Sequence, residues 1–230
     1  MKISGIQKLS LIDYPNKTAT VLFLPGCNFR CGFCHNQELV EDTLGDLGSD
    51  KIMSFLETRK GLVDAVCITG GEPTTHKDLP ELTLKLKQMG FLIKLDTNGS
   101  NPEMLNNLIE QGLVDFVAMD IKAPIKNYHE TTVLKIDKEK INKSVEILKK
   151  GKTNYEFRTT VVPGMIDKDA LSEIARWLKG SEKYVLQQFE PKKCMDASFQ
   201  EKTPYKRQEL FHFQKLMQPH FKTVEVRNLK

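Results

Sequence analysis

Three cysteines fall within eight residues, in the stretch GCNFRCGFCHN at residues 26–36. Cys27, Cys31 and Cys34 are too few for a closed structural zinc site, which takes four ligands. His35 is the nearest candidate for the fourth, but adjacent residues such as Cys34 and His35 reach one tetrahedral ion poorly. The other thiolate chemistry is an iron–sulfur cluster. A [4Fe–4S] cluster held by three cysteines leaves one iron open to a substrate or cofactor, as a catalytic cluster requires. The missing fourth ligand therefore reads as an open coordination position.

Other unusual residues recur downstream: TGGEP at 69–73, DTNG at 96–99, DIK at 120–122, Arg158, and QQFE at 187–190. Gly70 and Gly71 carry no side chain, so a ligand can approach their backbone. Asp96 and Asp120 would repel each other across a pocket unless a cation or a lysine compensates them. Each has a plainer reading: a strand-to-helix turn at Gly70–Gly71, an N-cap at Asp96, a surface pair Asp120–Lys122, a buried salt bridge at Arg158. Arg30, between the cysteines, either tunes the cluster or is solvated. Cys67, in the apolar run AVCIT, reads as core, and Cys194 is isolated. His76, His129, His212, His220, Asp167 and Asp169 read as surface or capping residues.

The elements that must position these groups alternate. Strand-like runs at 18–24, 65–69, 91–95, 116–121, 155–162 and 184–189 are interleaved with amphipathic stretches at 49–58, 79–89, 102–111, 137–150, 168–179 and 205–217. A short last strand is expected at 223–226. Ser49 and Asn101 are expected N-caps, and Gly90, Gly112 and Gly151 expected helix stops. Strict alternation means parallel strands with outer helices, and right-handed crossovers curl the sheet. Six units fall short of the eight that close a barrel. The expectation is an α/β chain forming an open, partial (β/α)6 barrel, one domain over residues 1–230, with a flat doubly wound sheet as the alternative. In such folds sites gather at the C-terminal strand ends, and every unusual cluster but Arg158, which sits within its strand, lies at one.

Composition narrows the partners. With 34 basic against 30 acidic residues the net charge is +4, and the lysines are scattered, so no nucleic-acid surface is expected. No run of eighteen apolar residues suggests a membrane span, and the first residues lack a signal-peptide core. Five cysteines, three of them clustered, read as a reduced cytoplasmic protein with a metal site.

The spacing C-x3-C-x2-C, with Phe33 before the third cysteine, resembles the signature of the radical S-adenosylmethionine (SAM) family. The GGE, DTNG and DIK stretches follow in that family's order, so the resemblance spans nearly the whole chain. It implies that SAM chelates the open iron and is cleaved reductively, giving a 5′-deoxyadenosyl radical that abstracts hydrogen. It further implies that Phe33 lies near the adenine, that Gly70, Gly71 and Glu72 meet the SAM ammonium, and that Lys122 and Arg158 reach SAM. Asp96, Thr97 and Asp120 match a pattern in the pyruvate formate-lyase activating branch, where such residues surround a monovalent cation, sodium or potassium. Asp13, in DYP at 13–15, resembles a substrate-side aspartate of that branch, although Asn16 replaces the usual glycine. His35 and Asn36 complete that branch's CHN triplet.

The opening SLIDYPNKTATVLFLPGCNFRCGFCHN, with LQQF late in the chain, most resembles anaerobic ribonucleoside-triphosphate reductase activating proteins. That implies abstraction of a glycine Cα hydrogen on anaerobic ribonucleotide reductase, with a flavodoxin or ferredoxin as electron donor. The alternatives are an activase of another glycyl radical enzyme, of pyruvate formate-lyase type, a radical SAM enzyme acting on a small molecule, and a non-enzymatic iron–sulfur sensor.

Overall fold

The computed structural model describes residues 1–133 and 136–229. One eight-stranded sheet runs in chain order: β1 (Gly5–Tyr14), β2 (Lys17–Leu24), β3 (Ala65–Gly70), β4 (Leu92–Thr97), β5 (Phe116–Asp120), β6 (Asn154–Val161), β7 (Lys183–Gln188) and β8 (Thr223–Arg227). From β2 to β8 every pairing is parallel, which makes a curled, open half-barrel; β1 is antiparallel to β2. The helices between strands are α1 (Gln37–Val40), α2 (Ser49–Glu57), α3 (Leu79–Gln88), α4 (Pro102–Glu110), α5 (Tyr128–Thr132), α6 (Lys138–Lys149), α7 (Lys168–Trp177) and α8 (Arg207–Met217).

The six expected strands and the short last one all form. The sequence reading missed β1, because residues 5–14 expose most of their side chains and lack a buried face; its exposed residues include Leu9, Leu11 and Ile12. The hairpin from β1 to β2 turns through Pro15 and Asn16, and Asn16 takes φ 58°, the left-handed region in which asparagine can stand in for glycine. Asn101 caps α4 as expected, accepting from the Met104 N–H. Ser49 does not cap α2: it is the first helical residue, and Gly48 holds the cap position.

Side chains alternate across the strands and sort into two environments. Val66, Ile68, Ile93, Leu95, Val117, Met119, Phe157, Tyr184 and Leu186 join the large core between sheet and helices. On the inner face, a small apolar cluster of Tyr14, Ala19, Val21, Ala65 and Cys67 fills the floor of the half-barrel. Cys67 is thus core, as expected, but on the inner side. Above and beside that floor the inner face carries many charged residues: Lys94 and Asp96 on β4, Asp120 on β5, Glu156 and Arg158 on β6, Lys183 on β7, Glu225 and Arg227 on β8.

Candidate active site

A cavity of about 580 Å³ opens at the C-terminal strand ends. Asp13, Cys27, Cys31, Phe33, Cys34, Gly70, Gly71, Glu72, Asp96, Thr97, Asp120, Lys122 and Arg158 all line it. Residues selected from distant parts of the sequence are therefore neighbours. His35 and Asn36 join them, as do Gln187, Gln188 and Glu190 from the end of β7.

The cysteine loop leaves β2 and folds on itself. Arg30 is half-buried, and its Nη1 donates to the carbonyls of Cys27 at 2.6 Å and Phe29 at 2.9 Å. The Cys34 N–H donates to the Cys31 carbonyl at 2.9 Å. Two thiols already receive backbone donors, Cys27 Sγ from the Phe29 N–H and Cys34 Sγ from the Asn36 N–H, each at 3.4 Å. Donors aimed at sulfur favour thiolate and cluster charge. Burial pushes the Cys27 thiol up to about 12 against the Phe29 N–H, and the Cys31 thiol up to about 11 against the nearby Lys122. Metal binding here must therefore release protons from thiols. Three cysteines around one cavity, with N–H donors on two sulfurs and a lysine beside them, fit a three-cysteine iron–sulfur cluster.

The glycine pair is also required by the protein's own packing. A Cβ on Gly71 would lie 1.8 Å from the Gly26 carbonyl oxygen, and one on Gly70 would lie 2.2 Å from that of Leu24. Gly70 also has φ 130°, outside the range of other residues. The close approach is made by the protein's own cysteine loop: the Gly71 N–H donates to Leu24 and the Glu72 N–H to Gly26. The ring of His76, expected at the surface, is half-buried and bonds the Pro25 carbonyl at 2.7 Å, which ties the same two segments.

Glu72 lies in the cavity wall but spends its carboxylate on the protein. Oε1 accepts from the Thr74 N–H, the Thr74 hydroxyl and the Thr97 hydroxyl, and Oε2 from the Asn98 N–H at 2.6 Å. Burial still raises its pKa against these donors. Glu72 thereby fastens the end of β3 to the end of β4.

Asp96 and Asp120 are bridged from within. Arg158 Nε donates to Asp120 Oδ1 at 2.8 Å and its Nη1 to Asp96 Oδ2 at 3.3 Å. Lys122 Nζ pairs with Asp120 Oδ2 at 3.0 Å, and Lys94 Nζ pairs with Asp96. Burial alone would raise both carboxylates. Arg158 and Lys122 outweigh it and hold Asp120 at about 2, while Arg158 and Lys94 hold Asp96 below its usual value. Lys94, missed in the sequence, is only 2% exposed, and its signal was there: it precedes Asp96 by two residues on a strand and so shares its face. By the same alternation Thr97 turns from Asp96, and its hydroxyl goes to Glu72. Of the expected triad, Asp96 and Asp120 share Arg158, whereas the Thr97 hydroxyl is engaged by Glu72. Tyr128, also missed, is fully buried; its hydroxyl accepts from the Lys122 N–H and donates to the Asp120 carbonyl, fixing the DIK turn.

Comparison with known proteins gives a family and a fold. The family model described as the Radical SAM superfamily matches residues 21–178. A relative from Methanocaldococcus jannaschii, named "Putative glycyl-radical enzyme activating enzyme MJ1227", is 36% identical over 99% of this chain and 96% of its own. A second from that organism, with the same description, is 31% identical over 77% of this chain and 69% of its own. In fold, the chain resembles Streptococcus suis SuiB bound to S-adenosylmethionine, with a TM-score of 0.66 at 14% identity, covering 90% of this chain and 52% of that one. It also resembles a domain of a pyruvate-formate lyase-activating enzyme from Bacteroides vulgatus, with a TM-score of 0.56 at 15% identity over 70% of this chain and 98% of that one. With its half-barrel, its three-cysteine cavity and the match over residues 21–178, this chain belongs to the radical SAM superfamily.

Proposed function

We propose that the protein is an activating enzyme that takes a hydrogen atom from a glycine Cα of a glycyl radical enzyme. Similarity over 99% of the chain to one relative named as a glycyl-radical enzyme activating enzyme, and over 77% to a second, carries this reading. The cavity supports it. Asp13 on β1 and Asn228 just past β8 both line the cavity, and β1 and β8 are the two unpaired edges of the sheet. The unclosed side of the half-barrel therefore leads into the site, which suits a substrate carried on a polypeptide loop.

When bound, cluster and SAM together supply one-electron reduction and hydrogen-atom abstraction. In this reading Cys27, Cys31 and Cys34 would hold the cluster, and Phe33 would lie on the adenine side. The backbone at Gly70 and Gly71 would receive the ammonium, with Glu72 holding that turn in place. Lys122 and Arg158 would offer positive charge to the carboxylate, and Asp13 would lie on the substrate side. Arg158, Lys122 and Lys94 already neutralise both aspartates, so charge balance there does not require a monovalent cation. SAM affinity should therefore be equal in choline and potassium buffers. A several-fold gain with potassium would restore the cation.

Anaerobic ribonucleotide reductase is the partner we assign, with a low-potential flavodoxin or ferredoxin as donor. The test is anaerobic incubation with SAM, donor and the reductase. A doublet in the electron paramagnetic resonance (EPR) spectrum should appear and collapse when the target glycine is deuterated at Cα. A doublet obtained only with a pyruvate formate-lyase-type partner would reassign the target. SAM cleavage without a doublet on any such partner would favour a small-molecule substrate.

A further inference from the structure

The connection from β7 to α8 is long, and it does not run straight to the helix. It crosses beneath the cysteine loop and binds it at four places. The His35 ring nitrogen Nε2 bonds the Glu190 carbonyl at 2.7 Å. The Met195 N–H donates to the Cys34 carbonyl, and the Asp196 N–H to the Gly32 carbonyl, each at 3.0 Å. The Phe199 ring packs on the Phe33 ring, with centroids 6.2 Å apart. The segment is itself braced: Asp196 accepts from the Ser198 N–H, and Cys194 is buried with its thiol directed to the Glu190 carbonyl at 3.8 Å.

Gly32 gives this contact its specificity. Its φ lies outside the left-handed region, so its backbone does not demand glycine. A side chain there would force the ring to shift: a Cβ would stand 2.6 Å from Cε2 of Phe199. The bare residue between the second and third cysteines is therefore matched to a ring some 170 residues away in the chain, and the loop and the strap fit as one unit.

We propose that residues 190–199 are a positioning strap for the three-cysteine loop, with Phe199 and Gly32 as its positioning pair. The strap holds two carbonyls of the loop and the ring of Phe33. It thereby sets the orientation of Cys34 and of the aromatic wall of the cavity. Phe199 touches no reacting group; it acts through Phe33 and Gly32. The inference rests on the cluster and SAM of the family and not on the glycyl radical reading, so its test involves no protein substrate.

The test compares Gly32→Ala, Phe199→Leu and the double variant, each reconstituted anaerobically. Iron content and thermal midpoint are measured first, to establish that each has folded and loaded. The readouts are the EPR spectrum of the reduced cluster, its change on adding SAM, and SAM affinity. Gly32→Ala should alter the spectrum and weaken SAM binding about tenfold, the size of loss typical when groups behind a metal ligand are disturbed. Leucine at position 199 keeps an apolar contact but removes the ring edge, so the double variant should return toward the spectrum and affinity of Phe199→Leu. In the cluster-free chain, Phe199→Ala should speed hydrogen exchange at the Met195 and Asp196 amides. The proposal is overturned if Gly32→Ala matches the parent in spectrum and affinity. It is equally overturned if the Gly32→Ala defect is as deep in the Phe199→Leu background as in the parent, since the fault would then lie in the loop alone. Unchanged exchange in Phe199→Ala would count against it in the same way.

Discussion

At Asp120 burial and charge pull in opposite directions, and charge wins. Its folded pKa of about 2 lies below the ordinary 3.8, so the group contributes stability above the ordinary value and loses it as pH falls toward 2. The contribution is on the order of 2 kcal/mol, from a shift of nearly two pH units. Asp120→Asn in the cluster-free chain should therefore flatten the urea-midpoint profile between about pH 4 and pH 2; an unchanged slope there would remove Asp120 from the account. Arg158 is the other half of the argument. Removing it leaves Asp96 and Asp120 facing each other with only Lys94 and Lys122. Arg158→Ala should cost about 3 kcal/mol, typical for orphaning buried charge, and should make SAM binding sensitive to potassium where the parent is not. Binding measured in choline and in potassium, beside urea unfolding, checks both halves of that statement.

The last strand illustrates how an element is secured at an open edge. β8 pairs only with β7, and its length is five residues. Arg227 compensates by reaching the fully buried Glu156 with two bonds, at 2.7 and 2.8 Å, and Lys183 stands 3.5 Å from the same carboxylate. Arg227→Met should destabilise the fold by about 2–3 kcal/mol, because the buried Glu156 would lose both guanidinium bonds and keep only Lys183 at 3.5 Å. Adding Glu156→Gln should recover part of that loss. Denaturant unfolding of the parent, both single variants and the double measures the coupling, and simple additivity would show that the pair does not hold the strand.

For the whole molecule the consequence of stopping at seven parallel strands and one antiparallel edge is a side that never closes. Edge strands usually carry charge or hide their apolar residues. Here β1 exposes Leu11 at 72% and Ile12 at 80%, next to Asp13 in the cavity wall. Such exposure means these side chains add little to the fold. Ile12→Lys should shift stability by less than about 0.5 kcal/mol in thermal or urea unfolding. A larger loss would mean that β1 packs more deeply than its exposure indicates.

Several features were legible from the chain alone because they are local. Strand and helix alternation follows from period and from capping residues such as Asn101, which bonds its own helix. The three-cysteine spacing constrains its chemistry without any tertiary contact. The convergence of the strand-end motifs was legible too, because parallel strands put all their C-terminal ends on one side. What the sequence did not contain was which partner each side chain chooses. Thr97 and Asp96 are neighbours in the chain but part company because a strand alternates its faces. Arg158 reads equally as a ligand residue or a salt-bridge partner, and only the fold shows Asp120 within 2.8 Å of it on the adjacent strand. Gly71 reads as room for a ligand, and the fold adds a second reason for it: the carbonyl of Gly26 stands where a Cβ would be. Nothing near Phe199 points to Gly32; only the path of the chain after β7 brings the ring there. Local pattern depends on neighbours a few residues apart, whereas pairing, charge balance and close approach depend on atoms that only the closed fold brings within a few ångströms.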